Sequence, residues 1–542
     1  MPTAKKLNVS QPNDTTEQDA WKSSQPTSEE IEGRLRKHVE EVVAFTKRKV
    51  PEGGTFLDFE QELLPLVFAI GRLLAALFLC WQHEQLEVPP AVQEGGRRFR
   101  RKQAHSRKLG MIFGKVRYWR TYMHAQGGGF YPLDRILRIP ADGFSFGLTS
   151  LMTRVATKVS YAQTTLLLRC FLGWSPSTTS VERAVLGLGR RTQAWFEESP
   201  VPEGDGDVLV IMIDSKCPPT ATAEELKKRR GKRSRVSAPS PRHRGRKKRK
   251  RGKKKQRRKK GDHSKNGRAA TLLVMYTLKT ERRNGKILRL GPINRRIYAS
   301  FAKKRHVFAV ARREADRRGF TAESGKIVQV VTDGELCFGA YAKEYFPEAL
   351  LTLDAIHAIE YLWKAGRSLH RERSKALETW VAKQRGRLYE GKAKLVVQDL
   401  RKVLAALPKT GPGNKGKRKR LGEALNYLST RIDMLNYDEL IKQDLEIGSG
   451  PVEGAVRYVI GQRFDSAGMR WIRERAEALL QLRCIEVNGE WDDFMRFVEP
   501  KATGPPDEDW RPLRLHAAKP GPLPTLGVPP EKPKRKRKRK AA

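Results

Sequence analysis

Cysteine is scarce in this chain. Five are present, Cys80, Cys170, Cys217, Cys337 and Cys484, among 542 residues, and no two form a CxxC pair. That scatter excludes a disulfide framework and a cysteine-rich zinc site, and it fits a reducing cytoplasm. Negative charge is short as well: 60 acidic residues stand against 108 basic ones, a net charge of +48. An enzyme of small neutral metabolites has no use for such an excess, whereas a polyanion such as DNA, RNA or an anionic surface attracts it. The longest apolar stretch, "LLPLVFAIGRLLAALFLCW", is interrupted at its centre by Arg72. A central arginine disfavours a membrane span, so this segment reads as a buried or dimer-forming helix and no membrane partner is expected. The first thirty residues are polar and lack a signal-peptide core, so a cytoplasmic protein is expected.

Several domains are expected from the length. Residues 1–30 read as disordered. Residues 31–140 read as two helices and then a basic, alternating hairpin turning near Phe113–Gly114. Residues 141–205 read as helical, with a helix ending near Gly173 and Ser177 or Thr178 capping the next, Glu182 falling in its first turn. This is helix-turn-helix spacing, which serves either a DNA-recognition helix or an ordinary helical hairpin. Residues 206–369 carry strands at "VLVIMIDSK", "AATLLVMYTLK", "KILRLGPINRRIYAS" and "KIVQVVTDGE", then a strand running into a helix in "ALLTLDAIHAIEYLWKAG", with a polar basic insertion over 218–267. Residues 370–445 read as a helical insertion with a loop at "KTGPGNKGKRKR", 446–498 as further helices, and 499–542 as a disordered basic tail. Three strands, helix, strand, helix, strand, helix is the order of an RNase H-like domain. The expected fold class is therefore α/β (α+β), a mixed sheet covered by helices and preceded by a mainly helical region.

Two of the apolar strands end in a carboxylate, Asp214 in "VLVIMIDSK" and Asp333 in "KIVQVVTDGE". These are the first and fourth strands of the proposed order, which lie side by side in such a sheet. Two facing carboxylates repel, and a divalent cation relieves the conflict. Oxygen ligands alone suit Mg²⁺ or Mn²⁺. The third corner is Glu453 in "EIGSGPVEGAVRY": Ser449 can cap a helix there, Pro451 suits its first turn, and Glu453 follows just inside. Glu335, Glu344, Asp444 and Glu446 are rivals, of which Glu335 lies too near Asp333 and Glu446 is expected to face solvent. A single Asp after a strand is commonly only a turn or cap residue. Two at matching strands, with a Glu opening a late helix and a polyanion-binding charge, point instead to metal-dependent phosphodiester chemistry using two ions per active site.

Five blocks, "VIMIDSK", "VVTDGE", "LTLDAIHAIEYLWKAG", "IGSGPVEGAVRYVIGQRF" with "GMRW", and the upstream "FGKVRYWRTY" with "PLD", together resemble bacterial insertion-sequence transposases of the DDE class, most closely the ISKra type. The resemblance spans roughly residues 95–495. It implies an RNase H-like catalytic domain with a helical insertion before the Glu. It also implies Mg²⁺-dependent cleavage and strand transfer at terminal inverted repeats and target DNA, by a homodimer or higher oligomer on double-stranded DNA. By position, Asp214, Asp333 and Glu453 become the metal-binding catalytic triad. Asp354 and His357 match the C/D-x-x-H element of related transposases and become supporting residues, although a histidine at a helix start is as readily a packing residue. Arg463 is assigned to the DNA backbone, against a solvated helix face, and Trp471 to DNA. Two positions depart from the pattern. Cysteines expected near "YMHAQGGGFYP" are absent, so no zinc knuckle is expected, and Asp465 stands where a Lys is expected after Arg463.

The insertion contains Lys227, Lys228, Arg229, Arg230, Arg246, Lys247, Lys248, Arg249, Lys250 and Arg251 and almost no apolar residue. It cannot build a core and reads either as a phosphate grip without sequence preference or as a solubilising loop. The active transposase has two rivals: an inactive or domesticated DNA-binding derivative, and an RNase H-like structure-specific endonuclease.

Overall fold

A computed structural model of the protein describes residues 25–50, 52–221, 269–466, 469–499 and 523–524. The chain divides into two compact units, Met1–Arg190 with Trp491–Lys519, and Arg191–Glu490 with Pro520–Ala542. The expected boundary near residue 205 thus falls earlier, and the helix Trp491–Val498, expected among the late catalytic helices, groups with the N-terminal unit. There its indole Nε1 donates to Ser150 Oγ at 2.9 Å.

The first unit opens with helices α1 (Ser28–Lys47) and α2 (Phe56–Gln85). Each is started by a reciprocal capping box, Thr27 with Glu30 and Thr55 with Asp58, satisfying backbone N–H groups that the first turn leaves open. Order therefore begins before residue 31, inside the segment expected to be disordered. Strands β1 (Ala91–Glu94), β2 (Arg97–Met111), β3 (Gly114–Ala125) and β4 (Gly128–Phe130) follow as an antiparallel sheet in that order. The turn lies at Ile112–Phe113, as the alternation predicts. The "PLD" segment opens α3 (Pro132–Ile136), and Asp134 anchors it: Tyr118 Oη donates at 2.7 Å, and Arg107 and Arg120 pair with it. Helices α4 (Phe146–Lys158), α5 (Tyr161–Leu172) and α6 (Thr178–Gly189) complete the unit. Gly173 ends α5 at φ +71° and Ser177 caps α6, so the helix–turn–helix spacing is present, with Glu182 beyond the first turn.

The second unit, a mixed α/β structure, begins with α7 (Thr192–Glu198), then β5 (Val208–Lys216), β6 (Thr220–Ala221), β7 (Ala270–Arg283) and β8 (Lys286–Ser300). Next come α8 (Lys304–Arg317), β9 (Ile327–Thr332), α9 (Leu336–Tyr345), β10 (Leu350–Leu353) and α10 (Ala355–Gly366). The five long strands form one sheet in the order β10-β9-β5-β7-β8. β5, β7 and β8 run antiparallel in sequence, while β9 and β10 are parallel to β5. Val208–Ile213 are wholly buried because β5 is the central strand with helices on the sheet's faces, which is why its apolar residues are continuous rather than alternating. Burying each such side chain contributes about 1.5–3 kcal/mol.

The expected insertion is helical: α11 (Lys375–Tyr389), α12 (Ala393–Ala406), α13 (Asn414–Ser429) and α14 (Tyr437–Lys442). The "KTGPGNKGKRKR" loop is shorter than read, since α13 already starts after Gly413 (φ +75°) and takes up its basic half. Then come α15 (Gly450–Ala455), a π-helical turn over Val456–Gly461, α16 (Gln462–Phe464), β11 (Trp471–Ile472) and α17 (Arg473–Val487), which packs along β8. β11 pairs with β6, so the first residues of the expected disordered insertion are in fact a strand.

Candidate active site

The parallel register sets the site. Ile213 of β5 stands beside Thr332 of β9, and Thr332 stands beside Leu353 of β10. The next residue on each strand is an aspartate: Asp214, Asp333 and Asp354. Asp333 and Asp354 directly follow β9 and β10, and Asp214 stands one residue past the last β5–β9 pair, so three carboxylates lie at the C-terminal edge of the parallel strands, where open α/β sheets bind ligands.

Asp214 is half-buried, and its Oδ1 accepts from Ser215 N at 2.6 Å. Its pKa is raised, first by burial and then by the charges of Asp333 and Glu453, against the opposing pull of the Ser215 N–H and of His357. Asp333 and Glu453, expected to converge with Asp214, therefore both sit within its electrostatic reach.

Asp333 is held by its backbone. Its Oδ1 accepts from Glu335 N at 2.8 Å, closing a tight Asx turn over Gly334 at φ +80°. A Cβ on Gly334 would sit 2.6 Å from both Arg431 Nε and Leu353 Cδ1, so only glycine fits. Tyr427 Oη donates to the Asp333 carbonyl at 2.6 Å, and Arg431 donates to the Gly334 carbonyl. Tyr427 is itself stacked on Tyr361, ring centroids 3.7 Å apart. Helix α13 of the insertion thus clamps the turn that carries Asp333.

Asp354 is completely buried and caps α10, accepting from Ile356 N at 2.6 Å and His357 N at 3.4 Å. Its Oδ2 accepts from Ser449 N at 3.1 Å and from the Ser449 hydroxyl, and lies 3.2 Å from His357 Nδ1. Burial pushes its pKa up, but His357, Ser449 and the Ile356 N–H outweigh this and hold it below the usual range. Ser449, expected to cap its own helix, gives α15 no side-chain cap; its hydroxyl is turned to Asp354. Ala355 N also donates to Ile447 O at 2.8 Å, so the "EIGSG" segment is fastened to the start of α10.

Glu453 lies in the first turn of α15 with its side chain 45% exposed. Its Oε1 is 3.4 Å from Ser449 Oγ and 3.7 Å from His357 Nδ1. His357 sits among the carboxylates. Its close approach to Asp354 is the largest influence, burial works against it, and the charges of Asp354, Glu360 and Asp333 add to raise its pKa to about 9. At neutral pH it is an imidazolium that offsets part of the negative charge.

Two sets of side chains are candidates for a cation. Asp354, His357 and Glu453 bring ligand atoms within 4.8 Å of one another. A metal there would have to displace the His357 proton and the donors that already occupy Asp354. Asp214, Asp333 and Glu453 are the second set: they are oxygen ligands only, none is fully buried, and the pKa of Asp214 is raised by burial first and then by the charges of the other two.

The rivals are engaged elsewhere. Glu335 pairs with Lys304, Glu344 with Arg305, and Asp444 accepts from Arg289 N at 2.8 Å. Glu446 does not face solvent as expected: it is half-buried and accepts from Tyr276 Oη at 2.9 Å, because Gln329 bonds its backbone N and O to the sheet.

Arg463 answers neither of its expected descriptions. It is 1% exposed, its guanidinium 4.9 Å from the Trp471 ring. Trp471 packs on Phe464, donates its Nε1 to Phe464 O at 3.1 Å and pairs with Thr220, and it remains partly exposed. Asp465, the departure from the expected Lys, pairs with Lys216 of β5 at 3.2 Å. The basic residues from Lys227 to Arg251 lie outside the described residues. Sequence reasoning missed Tyr427, Arg431 and Ser449 as partners of the carboxylates. No local signal marks the first two, and Ser449 looks like an ordinary helix cap. No known family model and no curated protein matches this chain.

Proposed function

We propose that this protein is a DDE-class DNA transposase that binds element ends and cleaves and joins DNA strands at Asp214, Asp333 and Glu453. The observation that carries this reading is the in-register placement of Asp214 and Asp333 on adjacent parallel strands, with Glu453 in electrostatic reach. Two further features support it. The mixed five-stranded sheet in the order β10-β9-β5-β7-β8, a three-stranded meander extended by two parallel strands, supports an RNase H-like reading, as does the helical insertion before Glu453. The net charge of +48 suits a DNA partner.

Asp214, Asp333 and Glu453 would hold Mg²⁺ or Mn²⁺. Bound divalent ions supply Lewis-acid activation of a water or a 3′-hydroxyl and charge stabilisation of the leaving oxygen. The chain's own residues set the geometry. The Asx turn and α13 fix Asp333; β5 fixes Asp214; Ser449 and His357 hold the first turn of α15, which aims Glu453. His357, protonated, limits the repulsion among carboxylates. The basic insertion would grip DNA phosphates without sequence preference.

The test is cleavage and joining of a repeat-end duplex with Mg²⁺. Wild type should nick and join; Asp214→Ala, Asp333→Ala and Glu453→Ala should each lose activity by at least about a thousandfold while still binding the duplex. Full activity in all three variants would overturn the assignment.

A further inference from the structure

We propose that the exposed face of α2 is a self-association surface, occupied by α2 of a second copy of this chain. Leu64, Gly71 and Phe78 recur every seventh residue, as do Val67, Leu74 and Trp81, and the two series alternate at spacings of three and four. That is the a/d seam of a coiled coil, and from Leu64 to Trp81 it contains no charged or polar side chain. Yet the seam is open at its five large residues: Leu64, Val67, Leu74, Phe78 and Trp81 are each about half exposed, Phe78 at 52%. The small residue in the series does not break it. A Cβ on Gly71 would lie 2.6 Å from the ring of Phe113, because the tip of the β2–β3 hairpin lies over that position. Arg72 Nη1 donates to Phe113 O at 3.1 Å and fixes the tip there. Phe113 and Ile112, both exposed, therefore continue the seam at Gly71.

The area suits a dimer. Half-exposed aromatic and large aliphatic side chains each offer on the order of 100 Å². The seam and hairpin tip together then approach the ~800 Å² per partner of a stable complex, and exceed the few hundred Å² that a monomer commonly leaves open. An identical helix has the matching heptad period, so its knobs meet holes of the same spacing. Lipid is the rival occupant, since α2 is the one helix among the described residues long and apolar enough to cross a membrane. The other side of α2 argues against lipid: Ala76, Leu79 and Cys80 are buried against Leu109, Met111, Val116 and Tyr118 of the hairpin. A helix surrounded by acyl chains would have to abandon that core. The inference does not depend on the carboxylates being catalytic.

The experiment is sedimentation velocity over a concentration series on the full chain, nuclease-treated and in high salt so that nucleic acid does not bridge copies. Wild type should sediment at twice the 61.6 kDa chain mass. Leu74→Glu combined with Phe78→Glu should weaken self-association by at least about tenfold. Leu290→Glu, at an exposed apolar position of β8, should leave the dimer intact. Circular dichroism melts verify folding, and if the double variant does not fold, Val67→Lys replaces it. A wild type that is monomeric throughout, or a dimer indifferent to the seam substitutions, overturns the proposal. So does monomeric protein that co-sediments with phosphatidylcholine vesicles through this seam, which would assign it to lipid.

Discussion

The hydroxyl of Tyr427 donates to the main-chain carbonyl of Asp333 at 2.6 Å across 94 residues of sequence. A helix of the insertion is thereby bonded to the turn that aims a site carboxylate, so the insertion is part of the site's framework.

Tyr427→Phe should test that link. It leaves the Asp333 carbonyl without this donor, at a cost of about 1–3 kcal/mol in stability. Strand cleavage should fall by about tenfold or more, because a small displacement of a carboxylate proposed to bind the metal is expensive in rate. DNA affinity should be unchanged. Thermal melts, single-turnover cleavage and a binding titration read these separately; undiminished cleavage would show that the clamp is dispensable.

Asp214→Asn should abolish cleavage yet raise stability in chelator. The Asp214 pKa is raised by burial and by two neighbouring carboxylates, so its ionised form is disfavoured in the folded chain. The folded state takes up the proton more readily than the unfolded one. Wild-type stability should therefore fall as pH rises from the ordinary Asp value through the raised one. Asn removes this slope. Denaturant melts in chelator across the acidic range measure it, and a less stable Asn variant would contradict the account.

His357 should titrate near 9 in the metal-free protein, observable by NMR of its ring protons. Its folded pKa lies above the unfolded value of about 6.5. The stabilisation is therefore fully present below about 6.5 and is lost as pH rises through about 9. His357→Gln should flatten stability over that window in chelator. An ordinary histidine pKa would remove the charge-balancing role.

Arg463→Ala should damage folding rather than DNA contact. Removing a buried, aromatic-packed guanidinium should cost at least about 2 kcal/mol in urea denaturation. DNA affinity of the folded fraction should change by less than about twofold. Normal stability with lost affinity would restore Arg463 to the DNA surface.

Much of this was readable from local pattern. "VLVIMIDSK" predicts a strand buried on both faces, and β5 is one. The hairpin turn, the Gly173 stop and the helical insertion follow from alternation, positive-φ glycine and helical periodicity, all short-range signals. Where local signals had two uses, the reading went astray. Ser449 before Pro451 looks like a cap, but its hydroxyl goes to Asp354, a partner 95 residues away. Glu446 looks like a solvent-facing turn residue, but Gln329 turns it toward Tyr276. Arg463 looks like a surface cation, but the β11–β6 pairing brings Trp471 beside it.

By itself, then, the sequence determined which strands are buried and that Asp214 and Asp333 end two of them, because hydrophobic periodicity and chain punctuation act over a few residues. Only the tertiary structure decided that Asp354 ends a third strand in register, that His357 balances the carboxylates, and that Tyr427 and Arg431 brace Asp333. Those are through-space relations among residues far apart in the chain, set by strand register and helix packing, and side-chain chemistry alone does not encode which partner each one meets.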